Sequence, residues 1–241
     1  MARPSTYSIV ACDLEAAEWG VAVQSKFLAV GAGVPAAEPH VGAVATQALV
    51  NPLYGPAALD ALARGDEPTA VVRSLTAADA GRDHRQLHLI DKAGRSAAHT
   101  GRACIDWCGH RSGRGYSLAG NMLAGPDVLA ATATAFEANE KDALALRLLK
   151  AMAAGEAAGG DKRGKQAAAL LIYTTESYPA LDLRVDDHAE PIAELFRLYE
   201  KSLERFQPFV SCLPRRDAPA GITDRAAIEA EVERFQASRT Q

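Results

Sequence analysis

The chain has 241 residues, 48% of them hydrophobic and 23% charged, with a formal net charge of −4. That is enough apolar material for one well-buried domain with a tail. Its mild acidity argues against nucleic acid or an anionic membrane surface as a partner, because both need a clustered basic face.

No apolar run approaches the roughly 20 residues of a membrane span. The opening Met-Ala-Arg-Pro-Ser lacks the apolar core of a signal peptide. The four cysteines, Cys12, Cys104, Cys108 and Cys212, are scattered in a way that suits reduced thiols. A cytoplasmic protein without a membrane anchor is the expectation.

Residues 6–27 read as a β-hairpin: a β-branched and aromatic run over 7–12, a polar turn over 13–18, and a second run over 19–23. Residues 28–35 and 41–47 read as two further strands joined through Pro39 and His40, with nearly continuous apolar runs that fit strands covered on both faces. Asn51-Pro52 opens a helix in which Tyr54, Ala57, Leu59 and Leu62 keep helical spacing and which Gly65 ends. A second helix starts at Glu67-Pro68, with Asp66 placed to cap it. A hairpin over 85–99 turns at Lys92-Ala93-Gly94, and His84 and His88 flanking its first strand read as surface or half-buried. A glycine- and arginine-rich loop then leads to a strand over 115–122. Helices over 126–138 and 142–158 follow, then a loop over 159–164 and strands over 166–173 and 181–185. A last long helix runs from Asp187 or His188 to about residue 206.

Strands joined by hairpins give antiparallel sheets, and helices arriving in pairs can each cover a sheet face. The expected fold is α+β, a four-layer α/β/β/α sandwich of two antiparallel sheets over residues 1–206. Residues 207–241 read as a linker followed by an amphipathic helix over 224–238, with Ile228, Val232 and Phe235 on one side. That helix would dock on the domain or on a second copy, which makes a homo-oligomer an expectation.

Thr6 opens the first strand. A threonine hydroxyl is a weak nucleophile until a base takes its proton, and the α-amine of an N-terminal threonine, titrating near neutrality, is such a base. Thr6 is not residue 1, so this chemistry requires cleavage between Ser5 and Thr6; the other reading is an ordinary strand threonine. Asp161, Lys162 and Arg163 sit in a glycine-bounded loop, where two adjacent cations can clamp a carboxylate or simply form a solvated turn. Gln166, at the start of the next strand, faces the same cleft. Asp187 reads as the N-cap of the last helix, with Glu190 in capping-box position and Pro191 in the first turn. His188 beside it can donate to a ligand. His99, Cys104, Cys108 and His110 invite a zinc reading but lack a second clean ligand pair. No metal or cofactor is expected, and no Walker loop, dinucleotide fingerprint, Gly-x-Ser-x-Gly or His-Glu-x-x-His occurs.

Several blocks, taken together, resemble a known family. They include Thr6-Tyr-Ser-Ile-Val-Ala, Val21-Ala-Val-Gln-Ser-Lys-Phe-Leu-Ala-Val-Gly, Gly42-Ala-Val-Ala-Thr-Gln-Ala and Asn51-Pro-Leu-Tyr-Gly. Further along come His99-Thr-Gly, Ala119-Gly-Asn-Met-Leu-Ala-Gly, Gly159-Gly-Asp-Lys-Arg-Gly-Lys-Gln and Asp182-Leu-Arg-Val-Asp-Asp-His. In collinear order over about residues 6–200 they resemble the DUF1028 family, which is grouped with the N-terminal nucleophile (Ntn) hydrolases.

With the threonine-nucleophile proteasome subunits as template, the resemblance implies an Ntn-hydrolase-like fold with Thr6 as the threonine of the first strand. Val23-Gln24-Ser25 stands where the template has a Val-Asp-Ser type sequence. The template lysine lies further along, on the next strand; Lys26 is grouped instead with the substrate contacts. The oxyanion-donating N–H falls near Thr46 or Gln47, Asn121 stands where a serine contacts the N-terminal amine, and Asp161 looks like the aspartate ahead of a Ser-Gly-Gly turn. The resemblance thus implies an amidohydrolase acting on a linear amide in a small, anionic acylated amino acid or peptide-like metabolite. Thr6, Asn121, Asp161 and Thr46 would carry the chemistry, and Lys162, Arg163, Gln166, Lys26 and His188 would contact substrate. The alternative is a catalytically inactive member of the same fold that serves as a small-molecule binding or assembly module.

Overall fold

The computed structural model of the chain describes residues 6–239. Strands β1 (Thr6–Asp13) and β2 (Glu18–Ser25) form the first hairpin. A 3-10 turn at Val30–Ala32 precedes β3 (Pro35–Glu38) and β4 (Gly42–Ala48). Helices α1 (Tyr54–Ala63) and α2 (Pro68–Ala77) lead to β5 (Arg85–Asp91), β6 (Ser96–Thr100), β7 (Trp107–Gly113) and β8 (Tyr116–Leu123). Then come α3 (Asp127–Ala138), α4 (Leu144–Ala157), β9 (Ala167–Tyr173), β10 (Leu181–Val185), α5 (Pro191–Glu204), α6 (Phe206–Val210) and α7 (Arg225–Arg239).

The strands make two antiparallel sheets, ordered β10-β9-β2-β1-β8-β7 and β3-β4-β5-β6. Side chains alternate across a strand, so each strand feeds two different cores. From β1, Tyr7, Ile9 and Ala11 point one way, into a cluster with Phe136 of α3 and Leu148 and Leu149 of α4. Val10 and Cys12 point the other way and meet Ala43 and Ala45 of β4 and Ile90 of β5. The outer face of the second sheet, through Val44, Leu87 and Leu89, packs on Tyr54, Leu59, Leu62 and Val71 of α1 and α2. Helices therefore cover the outer face of each sheet, and the inner faces pack on one another. Each fully buried aliphatic side chain in these clusters contributes about 1.5–3 kcal/mol of transfer free energy.

Several local expectations are corrected. Residues 28–35 are not a strand: Ala29 takes a left-handed φ of 52°, and β3 starts only at Pro35. The glycine- and arginine-rich stretch before β8 contains a full strand, β7, which pairs with β8 at the sheet edge through a bulge between Trp107 and Gly109. His88 is fully buried, because β5 turns it inward with Gln86 and Ile90. Neither Asp66 nor Asp187 caps a helix. The N-cap positions are Glu67 and Glu190, both without a side-chain cap, and Asp187 instead accepts from Gln166 Nε2 at 3.0 Å. The last long helix stops at Glu204, where Pro208 has no N–H to return to the Glu204 carbonyl.

Helix α7 starts at an Asp224 side chain that accepts the Ala227 N–H at 2.8 Å. It docks on the domain through α6, a two-pronged Arg205–Glu229 pair and Phe235 against the first cluster. Among the described residues, no helix is long and apolar enough to cross a membrane.

Candidate functional site

β1 is central in its sheet, so Thr6, its first residue, is opposed by Ser25 of β2 on one side and Asn121 of β8 on the other. The period of two turns Thr6 and Ser8 inward, toward the Gln47, Gln86 and His88 that β4 and β5 present. Thr6 Oγ1 donates to Ser25 Oγ at 3.1 Å. The Thr6 carbonyl accepts from Gln47 Nε2 and Asn121 Nδ2, both at 3.4 Å. The same two amides converge on Gln86 Oε1 at 3.0 and 2.9 Å. Gln86 Nε2 is in turn shared among the Gly120 carbonyl at 2.7 Å, Thr100 Oγ1 at 3.0 Å and the Gly109 carbonyl at 3.1 Å.

Ser8 Oγ donates to Gln47 Oε1 at 2.6 Å, which leaves the 2.8 Å contact with His88 Nε2 as one in which the imidazole donates. Burial, reinforced by His110, pushes the His88 pKa down to about 3 against the weak opposing pull of the Ser117 backbone. The ring is therefore neutral at ordinary pH, and its buried Nδ1 has no hydrogen-bond partner among the described residues.

Past the Thr6 end of β1, β8 runs on to Leu123 while the chain leaves β2 at Lys26, and Asp161 joins them. Asp161 Oδ2 accepts the Lys26 N–H at 2.8 Å, its backbone bridges to Leu123, and the Lys162 N–H donates to the Met122 carbonyl at 3.1 Å. Gly159, Gly160 and Gly164, at φ of 113°, 50° and 103°, allow the loop to turn into that place. The Asp161 side chain is 0% exposed. Its Oδ1 accepts the Arg163 N–H at 2.8 Å and its Oδ2 takes the guanidinium at 3.0 Å. Arg163 is thus folded back on Asp161. Lys162 extends outward and meets Asp106 at 3.7 Å, and exposed Lys26 donates to the Lys165 carbonyl at 3.2 Å.

The remaining sequence-derived residues lie apart from this cluster. Thr46 points to the outer face, where its Oγ1 accepts the Asn51 N–H at 3.4 Å, and its own N–H donates to the Val34 carbonyl at 3.2 Å. Gln166 hands its side-chain amide to Asp187, and exposed His188 accepts the Glu190 N–H on Nδ1 at 3.0 Å. Gln24 sits on the face opposite the Thr6 hydroxyl and bonds Glu156 beneath α4. Residues 1–5, whose removal would free the Thr6 amine, lie outside the described residues.

Two cavities meet at Ala48. One, of about 290 Å³, is lined by Ala48, Leu49, His84, Cys104, Asn121 and Met122. The other, of about 80 Å³, lies on the Thr6 side and is walled by Val30, Val34 and Val50. Ala48 and Met122 both hold left-handed φ values, 70° and 54°; for residues with a Cβ that costs on the order of 1–3 kcal/mol each, and such strain gathers at functional sites. Strand alternation sends the Ala48 N–H to the same edge as that of Thr46, beyond Val34 and along the smaller cavity. A brace that the sequence did not reveal holds this turn. Asp79 Oδ2 accepts from Tyr54 OH at 2.6 Å and Arg85 Nε at 2.5 Å, and Arg85 Nη1 donates to the Leu49 carbonyl at 2.5 Å. The Tyr54 hydroxyl and then the guanidinium hold the Asp79 carboxyl well below the usual range.

Among the described residues, no group of three or more His, Cys, Asp and Glu side chains is disposed to hold a metal ion. Burial and then Cys108 push the Cys104 thiol up to about 11, which keeps it protonated. The partners that sequence reasoning missed are Ser8, Gln86 and His88. Their signal was polar residues at alternate positions of two otherwise apolar strands.

The DUF1028 family model, described as a family of unknown function, matches residues 6–195. No curated protein matches the chain. The crystal structure of protein SPO2555 from Silicibacter pomeroyi, described under the same family, is similar to it at 33% identity and a TM-score of 0.85. The match covers 91% of this chain and 96% of that one.

Proposed function

We propose that this chain, which belongs to the DUF1028 family, is an Ntn-type amidohydrolase with a four-layer α/β/β/α sandwich and Thr6 as its nucleophile. One observation carries the reading. Thr6 begins a central strand, and a buried aspartate from a glycine-rich loop closes the sheet just ahead of it. A carboxylate placed there is suited to orient an α-amine on Thr6.

With that amine free, Thr6 Oγ attacks the amide carbonyl carbon and its proton passes to the amine. The oxyanion forms beside Ala48, whose N–H is the amide near Thr46 that faces the cavity, while the Asn121 carboxamide holds the Thr6 carbonyl and Gln86. The C–N bond breaks as the amine returns the proton to the leaving nitrogen. Water, deprotonated by the same amine, then cleaves the acyl-threonine ester. Arg163 holds the Asp161 carboxylate in place through its N–H and its guanidinium. The exposed cations Lys162 and Lys26 supply attraction for an acid group on a small acylated amino acid or peptide-like substrate.

The test is intact mass and N-terminal sequencing of wild type and Thr6→Ala, with both proteins assayed on a panel of N-acyl amino acids. Wild type should begin at Thr6 and release free amino acid, and the variant should keep Met1 and lose about 10³-fold or more of the turnover. Equal turnover by the two proteins would falsify the reading. A wild type that retains residues ahead of Thr6 has no amine base, and the non-catalytic binding module then takes precedence.

A further inference from the structure

The cavity of about 80 Å³ beside Thr6 has no ionisable side chain in its lining. Its walls are Val30 and Val34, the methyl of Ala48 and, at the mouth, Phe27 and Val50, which are 51% and 37% exposed. Large apolar side chains exposed at a cavity rim mark a place where an apolar ligand is taken from water. Its volume is about half the roughly 150 Å³ of an apolar cavity that holds benzene, so it accommodates a chain of about three or four carbons. The exposed cations, Lys26 and Lys162, do not line it.

Gly33 stands in the wall. A Cβ built there meets nothing within 4 Å, and its backbone, at φ −126° and ψ −14°, suits any L residue. Nothing in the local fold demands glycine. What glycine does provide is space.

Resting on the amidohydrolase reading, we infer that this cavity is the acyl subsite, that it selects a short, uncharged aliphatic acyl group of about four carbons, and that Gly33 sets its depth. The substrate is then an N-acyl compound with a butanoyl-like acyl group, whose acid function belongs to the amine half. An acyl chain entering past Phe27 and Val50 lays its carbonyl between Thr6 and Ala48, where the attack described above takes place. Affinity should rise about three- to four-fold per methylene up to the butanoyl length and then level off, because longer chains run out of wall.

Binding is tested apart from catalysis, on the full chain, by following the methyl resonances of Val30, Val34 and Val50. The probes are butanamide, octanamide and succinamate, the last as long as butanamide but charged at its far end. Butanamide should shift these methyls saturably, octanamide no more strongly, and succinamate at least ten-fold more weakly. Gly33→Leu, and independently Val50→Phe at the mouth, should weaken butanamide at least ten-fold and lower the butanoyl-to-acetyl turnover ratio by a similar factor. Methyls that ignore butanamide, or succinamate binding as well as butanamide, overturn the inference. So does a Gly33→Leu protein that folds and binds like wild type. Saturable butanamide binding without amide turnover keeps the aliphatic subsite and removes the hydrolase. Turnover indifferent to acyl length does the reverse.

Discussion

The inward face of β1 divides the space between the two sheets into unlike halves. At one end Val10 and Cys12 meet Val21, Ala45 and Ile90 in an apolar cluster, with the small Ser117 opposite Val10. At the other end, two residues or about 7 Å along the strand, Thr6 and Ser8 meet Gln47, Gln86, His88 and Asn121, all buried as deeply. Apolar area does most to hold the first half together, since apolar burial is non-directional. The second half depends on its hydrogen bonds, because each buried polar group left unpaired costs about 1–3 kcal/mol. They satisfy Gln47, Gln86 and Asn121 but leave His88 Nδ1 without a partner among the described residues. A core built for stability alone would have continued the valine pattern. This one gives its Thr6 end to side chains that fix the Thr6 carbonyl from two directions, and it sets the left-handed Ala48 and Met122 beside them.

Deletions in the two halves should therefore fail differently. Ile90→Ala, in the apolar half, should cost about 3 kcal/mol in a urea titration, as expected for a cavity in a packed core. The side-chain amide resonances of Gln47 and Asn121 should stay in place. Gln86→Leu keeps the volume but strips one acceptor from two amides and one donor from the Gly120 carbonyl. It should cost about 2 kcal/mol, move both amide resonances, and slow any Thr6-dependent turnover more than Ile90→Ala does. If Gln86→Leu proves neutral or stabilising and those resonances hold still, the polar half does not depend on its hydrogen bonds and the contrast collapses.

What was legible in the sequence follows the same division. The β1–β2 hairpin, the paired helices and the β5–β6 turn are written in local periodicity, and they stand within a residue or two of where periodicity puts them. β7 was hidden because Cys108-Gly-His-Arg-Ser-Gly has no apolar alternation; it is a strand only because β8 offers a ladder. The reading of 28–35 as strand failed because Gly31 and Gly33 sit among valines whose apolar run looked extended but bends at Ala29. Thr6, Asn121 and Asp161 were singled out by resemblance, and the fold brings them together at one strand end. Gln86 and His88 were harder to single out, since their buried network is defined by partners 14 to 80 residues away and no single segment carries it.

The smallest effect is also the sharpest probe of the polar half. The His88 pKa is lowered from 6.5 to about 3 in the folded chain. Unfolding therefore takes up a proton wherever the pH lies between those values, and stability falls as pH drops through that window. Above pH 6.5 the ring is neutral in both states and contributes no slope; below about 3 it is charged in both and the slope ends. Between pH 7 and 5.5 the loss attributable to this one ring is about 1 kcal/mol. Asp79, whose folded pKa is also depressed, loses its contribution only below the ordinary carboxylate range near 3.8, so it does not act in this interval. His110 does act there, since burial lowers its pKa too, so the measurement must be differential. His88→Gln keeps a donor for Ser8 and has nothing to titrate, and its unfolding free energy from urea titration should fall less than that of wild type by about the stated amount. The apolar half supplies the control, because Ile90→Ala should lower the midpoint at both pH values without changing the slope. If wild type and His88→Gln lose stability in parallel, the imidazole is not held neutral, and water reaches the Thr6 end of the core.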